Sequence, residues 1–342
     1  MSIFFAGDFA DPNNGVDYEF IKNLIKKSDA FVFNLEGPIL DEKSRIPHTK
    51  HKYNLFSHPH SIDNFKDFNL LLSLANNHIN DFKNGLQETC NFLDKKGIPY
   101  IGIQNKFCKE ITVDNNEYCI FSFNSRLTLP YHNKNICTIN NHNYKLIEQY
   151  KQSNPLATII VYAHFGLELS KYPMPADREW CKQMINAGAN YIIAHHPHVV
   201  QGAEEYKDGK IIYSIGNFVL PQTHYLDKKL HYKDPRVNNG IIIEINKNEE
   251  PIIHSFQMNP EQTKLNYKGK INYTQLKELF NYDHLTDYIT FYKTNNKISK
   301  YYPVFKNYNF PVFNIKYAYV LLTQKIRKIL IKLNLYSPYL KG

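Results

Sequence analysis

Tyr191-Ile192-Ile193-Ala194-His195-His196-Pro197-His198 is a short apolar run that breaks off into three imidazoles and a proline. Four apolar residues, aromatic and β-branched at the start, read as a buried strand, and an abrupt polar end marks where the chain leaves a sheet. Two histidines at i and i+2 in an extended segment reach different points in space, and Pro197 stiffens the turn between them. Five other runs end in a similar way. Ile3-Phe4-Phe5-Ala6 leads into Gly7-Asp8, Ala30-Phe31-Val32-Phe33 into Asn34-Leu35-Glu36, and Leu70 to Ala75 into Asn76-Asn77-His78. Thr158 to Ala163 leads into His164, and Ile211-Ile212-Tyr213-Ser214 into Ile215-Gly216-Asn217. One or two such residues would be ordinary turn formers. Six strand ends carrying Asp, Glu, Asn or His argue for a site, because in open α/β sheets ligands bind where the loops leaving the strands converge.

Helical segments alternate with these runs, as an α/β chain requires. The spacing predicts helices over Lys83 to Lys96, closed by Gly97 and Pro99, and over Asp177 to Ala187, closed by Gly188. Lys109 to Phe123, interrupted by Asp114-Asn115-Asn116, reads as a hairpin, so the sheet is expected to be mixed. Gly240 to Ile245 reads as the last core strand, after which the composition shifts to Asn, Lys and Tyr. This sets an expected division into a main domain, 1–250, and a C-terminal extension, 251–342. In the extension, Tyr319, Leu322, Ile326, Ile329, Leu330 and Leu333 recur at helical spacing among Lys316, Lys325, Arg327, Lys328 and Lys332 with no acid. That is a basic amphipathic helix, which either packs on its own core or meets an anionic membrane surface or a partner.

At 342 residues and 43% hydrophobic content the chain can bury a substantial core. The five cysteines are scattered with no Cys-x-x-Cys pair, which argues against a disulfide framework and a thiolate zinc site. The start, Met1-Ser2-Ile3-Phe4-Phe5, lacks the basic opening and long apolar run of a secretory signal, and no apolar stretch reaches eighteen residues. A cytoplasmic protein is expected, with contact at the inner membrane face through residues 315–342 as the alternative. The formal charge of +9 suits a polyanionic partner of some kind. No nucleic-acid module accompanies it, so nucleic acid is the weakest of these.

The strand ends supply a donor set suited to divalent cations. Asp8 and Glu36 are carboxylates, Asn77 offers an amide oxygen, and His164, His196 and His198 offer imidazoles. Taken singly each motif is weak, since a lone loop histidine is more often a surface or hydrogen-bonding residue. In this order, Gly7-Asp8, Asn34-Leu35-Glu36-Gly37-Pro38, Leu74 to Asp81, His164-Phe165-Gly166-Leu167-Glu168, His196-Pro197-His198-Val199 and Tyr213 to Phe218 resemble the motifs of the CapA family of capsule and poly-γ-glutamate synthesis proteins. The resemblance covers roughly residues 1–250. It extends to the calcineurin-like metallophosphoesterases and so implies a four-layer α-β-β-α sandwich with mixed sheets, plus a partly helical extension.

The resemblance also implies roles. Asp8 and His198 would bind one metal, Asn77, His164 and His196 a second, and Glu36 would bridge them. His78 corresponds to the histidine that assists the leaving oxygen in phosphoesterases. Asn34, Asp81 and Asn217 are expected to orient ligands or touch substrate. Two departures matter: the phosphoesterase pattern Asp-x-His is here Asp8-Phe9-Ala10, and the bridging aspartate is Glu36. One metal position therefore lacks an imidazole, and neighbouring His195 is either its replacement or a hydrogen-bonding residue behind the ligands. The implied cofactor is one or two divalent ions, Mn, Fe or Zn. The expected activity is metal-dependent hydrolysis of a phosphorylated substrate in surface-polymer synthesis. The alternative is a non-catalytic component that uses metal to bind an anionic polymer, and a nucleic-acid phosphoesterase stands third. Specificity is expected to lie in the loops 128–141 and 166–176.

Overall fold

A computed structural model describes residues 1–47, 53–128, 135–247, 249–282, 286–298, 303–309, 311–333 and 335. Part of the 128–141 loop and the end of the 315–342 segment thus lie outside the described residues.

The strands are β1 (Ile3–Phe9), β2 (Ala30–Leu35), β3 (Asn69–Ser73), β4 (Tyr100–Ile101), β5 (Cys108–Val113), β6 (Asn116–Asn124), β7 (Thr158–His164), β8 (Tyr191–His195), β9 (Ala203–Tyr206), β10 (Gly209–Ile212), β11 (Asn217–Val219), β12 (His224–Tyr225), β13 (Lys228–Lys229), β14 (Asn239–Ile245), β15 (Ile252–Met258) and β16 (Leu265–Ile271). One sheet runs β16-β15-β14-β1-β2-β3-β4 with β11 also paired to β1, and the second runs β5-β6-β7-β8-β10-β9. Both are mixed. The pairs among β1 to β4 and among β6, β7, β8 and β10 are parallel, while β14, β15, β16, β5 and β9 join antiparallel.

The period-2 alternation of these strands builds three cores. Between the sheets, Ile3, Phe5, Val32 and Leu71 meet Ile120, Ile160, Tyr162, Ile193 and Ile212. Residues one step along point outward and are covered by helices. α1 (Glu19–Leu24), α2 (Pro59–Asp63) and α3 (Gly85–Lys96) bring Ile21, Ile62 and Leu93 against Phe4, Phe31, Phe33 and Leu72. α4 (Asn143–Ser153) and α5 (Pro175–Asn186) bring Ile147, Trp180 and Met184 against Phe121, Val161, Ile192 and Ile211. The result is the four-layer α-β-β-α sandwich.

The helix ends differ slightly from the sequence reading. α3 starts two residues late because Asn84 before it takes a left-handed conformation at φ 56°. α5 starts two residues early on Pro175, whose fixed φ suits a first helical turn.

The strand 240–245 is not the last of the sheet. β15 pairs with β14 and β16 with β15, so the polar stretch after 250 continues the sheet. Beyond it come α6 (Tyr273–Glu278), α7 (Tyr288–Asn295) and α8 (Val312–Lys332). Tyr288 and Tyr292 of α7, Phe305 and Tyr308 of the connecting segment, and Phe313 and Val320 of α8 all join the core outside the second sheet. Arg178 of α5 is held at this junction. Its guanidinium bonds Glu204 at 2.6 and 2.8 Å and lies 4.5 Å from the Tyr288 ring centre.

Candidate metal centre

β1, β2 and β3 of one sheet and β7 and β8 of the other end at the same edge, and their last residues meet there. Asp8 is near the end of β1, Asn34 near the end of β2 with Glu36 just after it, and His164 and His195 close β7 and β8. Two glycines permit the close approach. A Cβ on Gly7 would lie 1.8 Å from the carbonyl oxygen of Gly216, so only glycine lets the 216–217 turn cross β1. Gly166, at φ 111°, lets the loop after His164 lie against Pro197. His196 and His198 themselves hold positive φ angles of 99° and 59°. Such angles are costly for non-glycine residues and cluster at functional sites.

Asn34 joins the two carboxylates. Its Nδ2 donates to Asp8 Oδ1 at 2.8 Å and to Glu36 Oε2 at 2.6 Å. Asn76 fixes Asn34 in turn, donating to its Oδ1 at 3.1 Å and to the Leu35 carbonyl at 2.6 Å. Its own Oδ1 accepts from the backbone amides of His78 and Ile79. Asn76 lies within the Leu74 to Asp81 motif, where the sequence alone assigns it no role. The doubled Asn-Asn at a strand end was the available signal, since asparagine satisfies backbone donors in turns.

On the opposite sheet, His195 Nδ1 lies 2.7 Å from Asp8 Oδ1 and 3.0 Å from His164 Nδ1, which is itself 3.7 Å from Asp8 Oδ1. His164 Nδ1 is also 3.6 Å from Glu36 Oε2, and its Nε2 lies 2.6 Å from Asn77 Oδ1. Two donor groups result, Asp8 with His164 and His195, and Glu36 with His164 and His196, all fully enclosed. His198 stands slightly aside, with Nδ1 2.8 Å from Asn217 Oδ1 and 3.4 Å from Asp8 Oδ2. Asn217 is held by donating to the Val237 carbonyl at 3.0 Å. His78 turns Nδ1 to Asp81 Oδ2 at 2.6 Å and Nε2 toward Glu36 Oε1 at 3.9 Å. Asp81 also accepts from the backbone amide of Leu55 at 2.9 Å.

Every residue named from the sequence therefore comes to this edge. His195 joins Asp8 and His164 in one donor group, while His198 Nδ1 lies 3.4 Å from Asp8 Oδ2. Ala10 is fully buried and its backbone amide bonds the Val219 carbonyl, so it offers no side-chain donor. Sequence reasoning also passed over Tyr162. Its ring centre lies 4.4 Å from that of His195, and its hydroxyl bonds the Ala6 carbonyl. Its place in an apolar run before His164 gives no hint that it backs a histidine.

The electrostatics suit a cation. Burial pushes Asp8 upward, but His195, His198 and His164 hold it well below the usual carboxylate range. Burial and the neighbouring Asp8 charge drive Glu36 well above that range. Burial and adjacent imidazoles hold His164 and His196 well below the ordinary histidine value, in the neutral form that ligates metal. His198 rises to about 9 because Asp8 outweighs its burial, and Asp81 likewise raises His78. Glu36 Oε1, His195 Nε2 and His196 Nδ1 are buried with no hydrogen-bond partner among the described residues. Orphaned buried groups of this kind are costly, and a bound cation satisfies oxygen and imidazole donors together. The residues fit divalent metal.

These features define a class: an α-β-β-α sandwich with a carboxylate and histidine cluster where the two sheets' strands end. Residues 10–222 match the family described as Bacterial capsule synthesis protein PGA_cap, and the chain belongs to that family. It is 29% identical over 252 residues to the capsule biosynthesis protein CapA of Bacillus anthracis, covering 68% of this chain and 61% of that one. It is 25% identical over 222 residues to the PGA biosynthesis protein CapA of Bacillus subtilis (strain 168), covering 60% and 57%. The alignments thus span about three fifths of the length of these relatives. Among solved structures it is similar to the sulfate thiohydrolase SoxB of Termus thermophilus in complex with glycerol, at TM-score 0.42 and 6% identity over 82% of this chain and 59% of that one. It is also similar to a 5'-nucleotidase from Candida albicans SC5314, at TM-score 0.41 and 12% identity over 96% and 57%. Likenesses of that size say nothing about this chain's chemistry. Among the described residues, no helix is long and apolar enough to cross a membrane.

Proposed function

We propose that the chain is a metal-dependent hydrolase acting on a phosphoester or related bond during synthesis of an anionic surface polymer. The observation that carries this reading is the pair of donor groups sharing His164, with Asp8 and Glu36 tied by one amide. Asp8, Glu36, Asn77, His164, His195 and His196 would hold one or two divalent ions, with His198 beside Asp8. Such ions supply an activated water and stabilise charge on a phosphoryl group. Asn34 keeps the two carboxylates at a fixed separation, and Asn217 and Asp81 orient His198 and His78. His78, whose imidazole Asp81 raises above its ordinary value against the effect of burial, is the group suited to deliver a proton to a leaving oxygen, because its Nε2 is turned toward the cluster. Purified protein supplied with manganese, iron or zinc should turn over at least one member of a broad phosphoester panel and lose that turnover in His78→Ala. No turnover on the whole panel with any of the metals would remove this reading.

A second reading is favoured by Ala10, where the resemblance implies an imidazole, so that the Asp8 position depends on His195 instead. Here the chain binds an anionic polymer such as polyglutamate through its metals without breaking a bond. Polymer binding and capsule formation would then survive His78→Ala and fail in Asp8→Ala.

A further inference from the structure

The positive charge of this protein is concentrated in one place. After Asp287 the sequence contains ten Lys and Arg and no Asp or Glu. Of 41 basic and 32 acidic residues in all, the first 287 positions therefore hold 31 and 32, and the sandwich with its candidate metal centre is close to neutral. The basic end includes α8.

Among the described residues, α8 is anchored in the core along one face. Phe313 and Val320 are buried in the core outside the second sheet, with Tyr317 partly buried beside them. The opposite face carries Ile315, Tyr319, Leu322, Ile326, Ile329 and Leu333, all exposed, with Ile315 at 72% and Leu322 at 55%. Their spacing of three and four residues makes one continuous stripe along the helix. Scattered exposed apolar residues need no explanation, but a contiguous stripe of six marks a surface meant to be covered. Lys325 is exposed on the same helix.

We propose that α8 docks this protein on an anionic phospholipid surface, lying in the interface with the Ile315 to Leu333 stripe inserted. The choice of occupant rests on charge complementarity. An apolar stripe on a helix whose ionisable residues are all cationic matches acidic headgroups over acyl chains, which is the make-up of an interfacial helix. The length and polarity of α8 agree, since it is not apolar enough to span. The anchor also ties docking to the site described above. Tyr308, just ahead of α8, hydrogen-bonds Ser125 at 3.1 Å, and the backbone amide of Ser125 donates to the carbonyl of His164 at 2.8 Å. The root of the docking helix therefore sits at the strand edge that carries the donor cluster, so docking would hold that edge near the bilayer.

The test is vesicle flotation of the full chain, with phosphatidylcholine vesicles alone and with about one third phosphatidylglycerol. Binding is expected to the acidic vesicles only, to weaken with added salt, and to fall at least tenfold in Leu322→Ser/Ile326→Ser and about tenfold in Lys325→Glu. These positions are exposed, so the variants should fold, and thermal denaturation checks that. In a Tyr319→Trp variant the added fluorescence should shift to the blue with acidic vesicles. Equal failure to bind both vesicle types would overturn the proposal. So would sedimentation showing a dimer that the stripe substitutions convert to monomer, because a second copy would then cover the stripe. Neither result bears on metal content or turnover, so the catalytic reading is tested separately.

Discussion

His195 presents Nδ1 2.7 Å from Oδ1 of Asp8, with both side chains closed to solvent. The two come from different sheets, and their meeting places a histidine beside the aspartate that lacks one two residues along, at Ala10. His195→Ala should lower affinity for the more weakly held cation about a hundredfold or more, measured by competition with a chelating dye. A loss below about a hundredfold would mean that His195 acts only behind the ligands, as outer hydrogen-bonding partners, whose loss costs about 10- to 100-fold, do.

Asn34 supplies one amide group to two carboxylates. Asn34→Ala should destabilise the metal-free protein by about 1–3 kcal/mol for each acceptor left unpaired, and saturating divalent metal should recover part of that loss. Thermal denaturation with and without metal checks this. An equal loss in both conditions would show that the amide serves the fold alone.

His78 is placed to give up a proton without belonging to either donor group. His78→Ala should leave metal content unchanged and reduce kcat by roughly 10²–10⁴, the usual range for losing a general acid. A rise in KM with unchanged kcat would assign His78 to substrate binding instead.

Asp177 is buried at the start of α5, where it accepts a hydrogen bond from Tyr308. Burial, partly offset by that bond, pushes its carboxyl up to about 7. A carboxyl raised on folding adds stability in full below its unfolded value near 4, and loses it as pH climbs through 7. The slope across that window is about 1.4 kcal/mol per pH unit. Asp177→Asn should therefore have little effect on Tm at pH 4 and raise it relative to the parent at pH 8. A variant less stable than the parent at pH 8 would contradict this.

Much of the site was legible in the sequence because each donor follows an apolar strand, and strand ends of neighbouring βα units must converge. Asp8, Glu36, His164 and His196 were found in this way. The sequence leaves His195 either a ligand or a hydrogen-bonding residue, because spacing does not tell which imidazole nitrogen turns inward, and His196 and His198 adopt left-handed backbone that spacing does not reveal. β16 was missed for a different reason. It is an edge strand in which only Leu265 is fully buried, so it is held by backbone pairing to β15 and its sequence, Leu-Asn-Tyr-Lys-Gly-Lys-Ile, looks like a loop. The amphipathic pattern of α8 was plain, but only the fold shows that its long apolar stripe is left uncovered while Phe313 and Val320 make the anchor.

The most direct test of the metal centre is elemental analysis of the purified, desalted protein beside His164→Ala, since His164 belongs to both donor groups. The expected result is one to two equivalents of a divalent transition metal in the parent, and a loss of most of it in the variant. A parent that carries no divalent metal, and whose thermal stability does not change with added manganese, iron or zinc, would contradict the assignment.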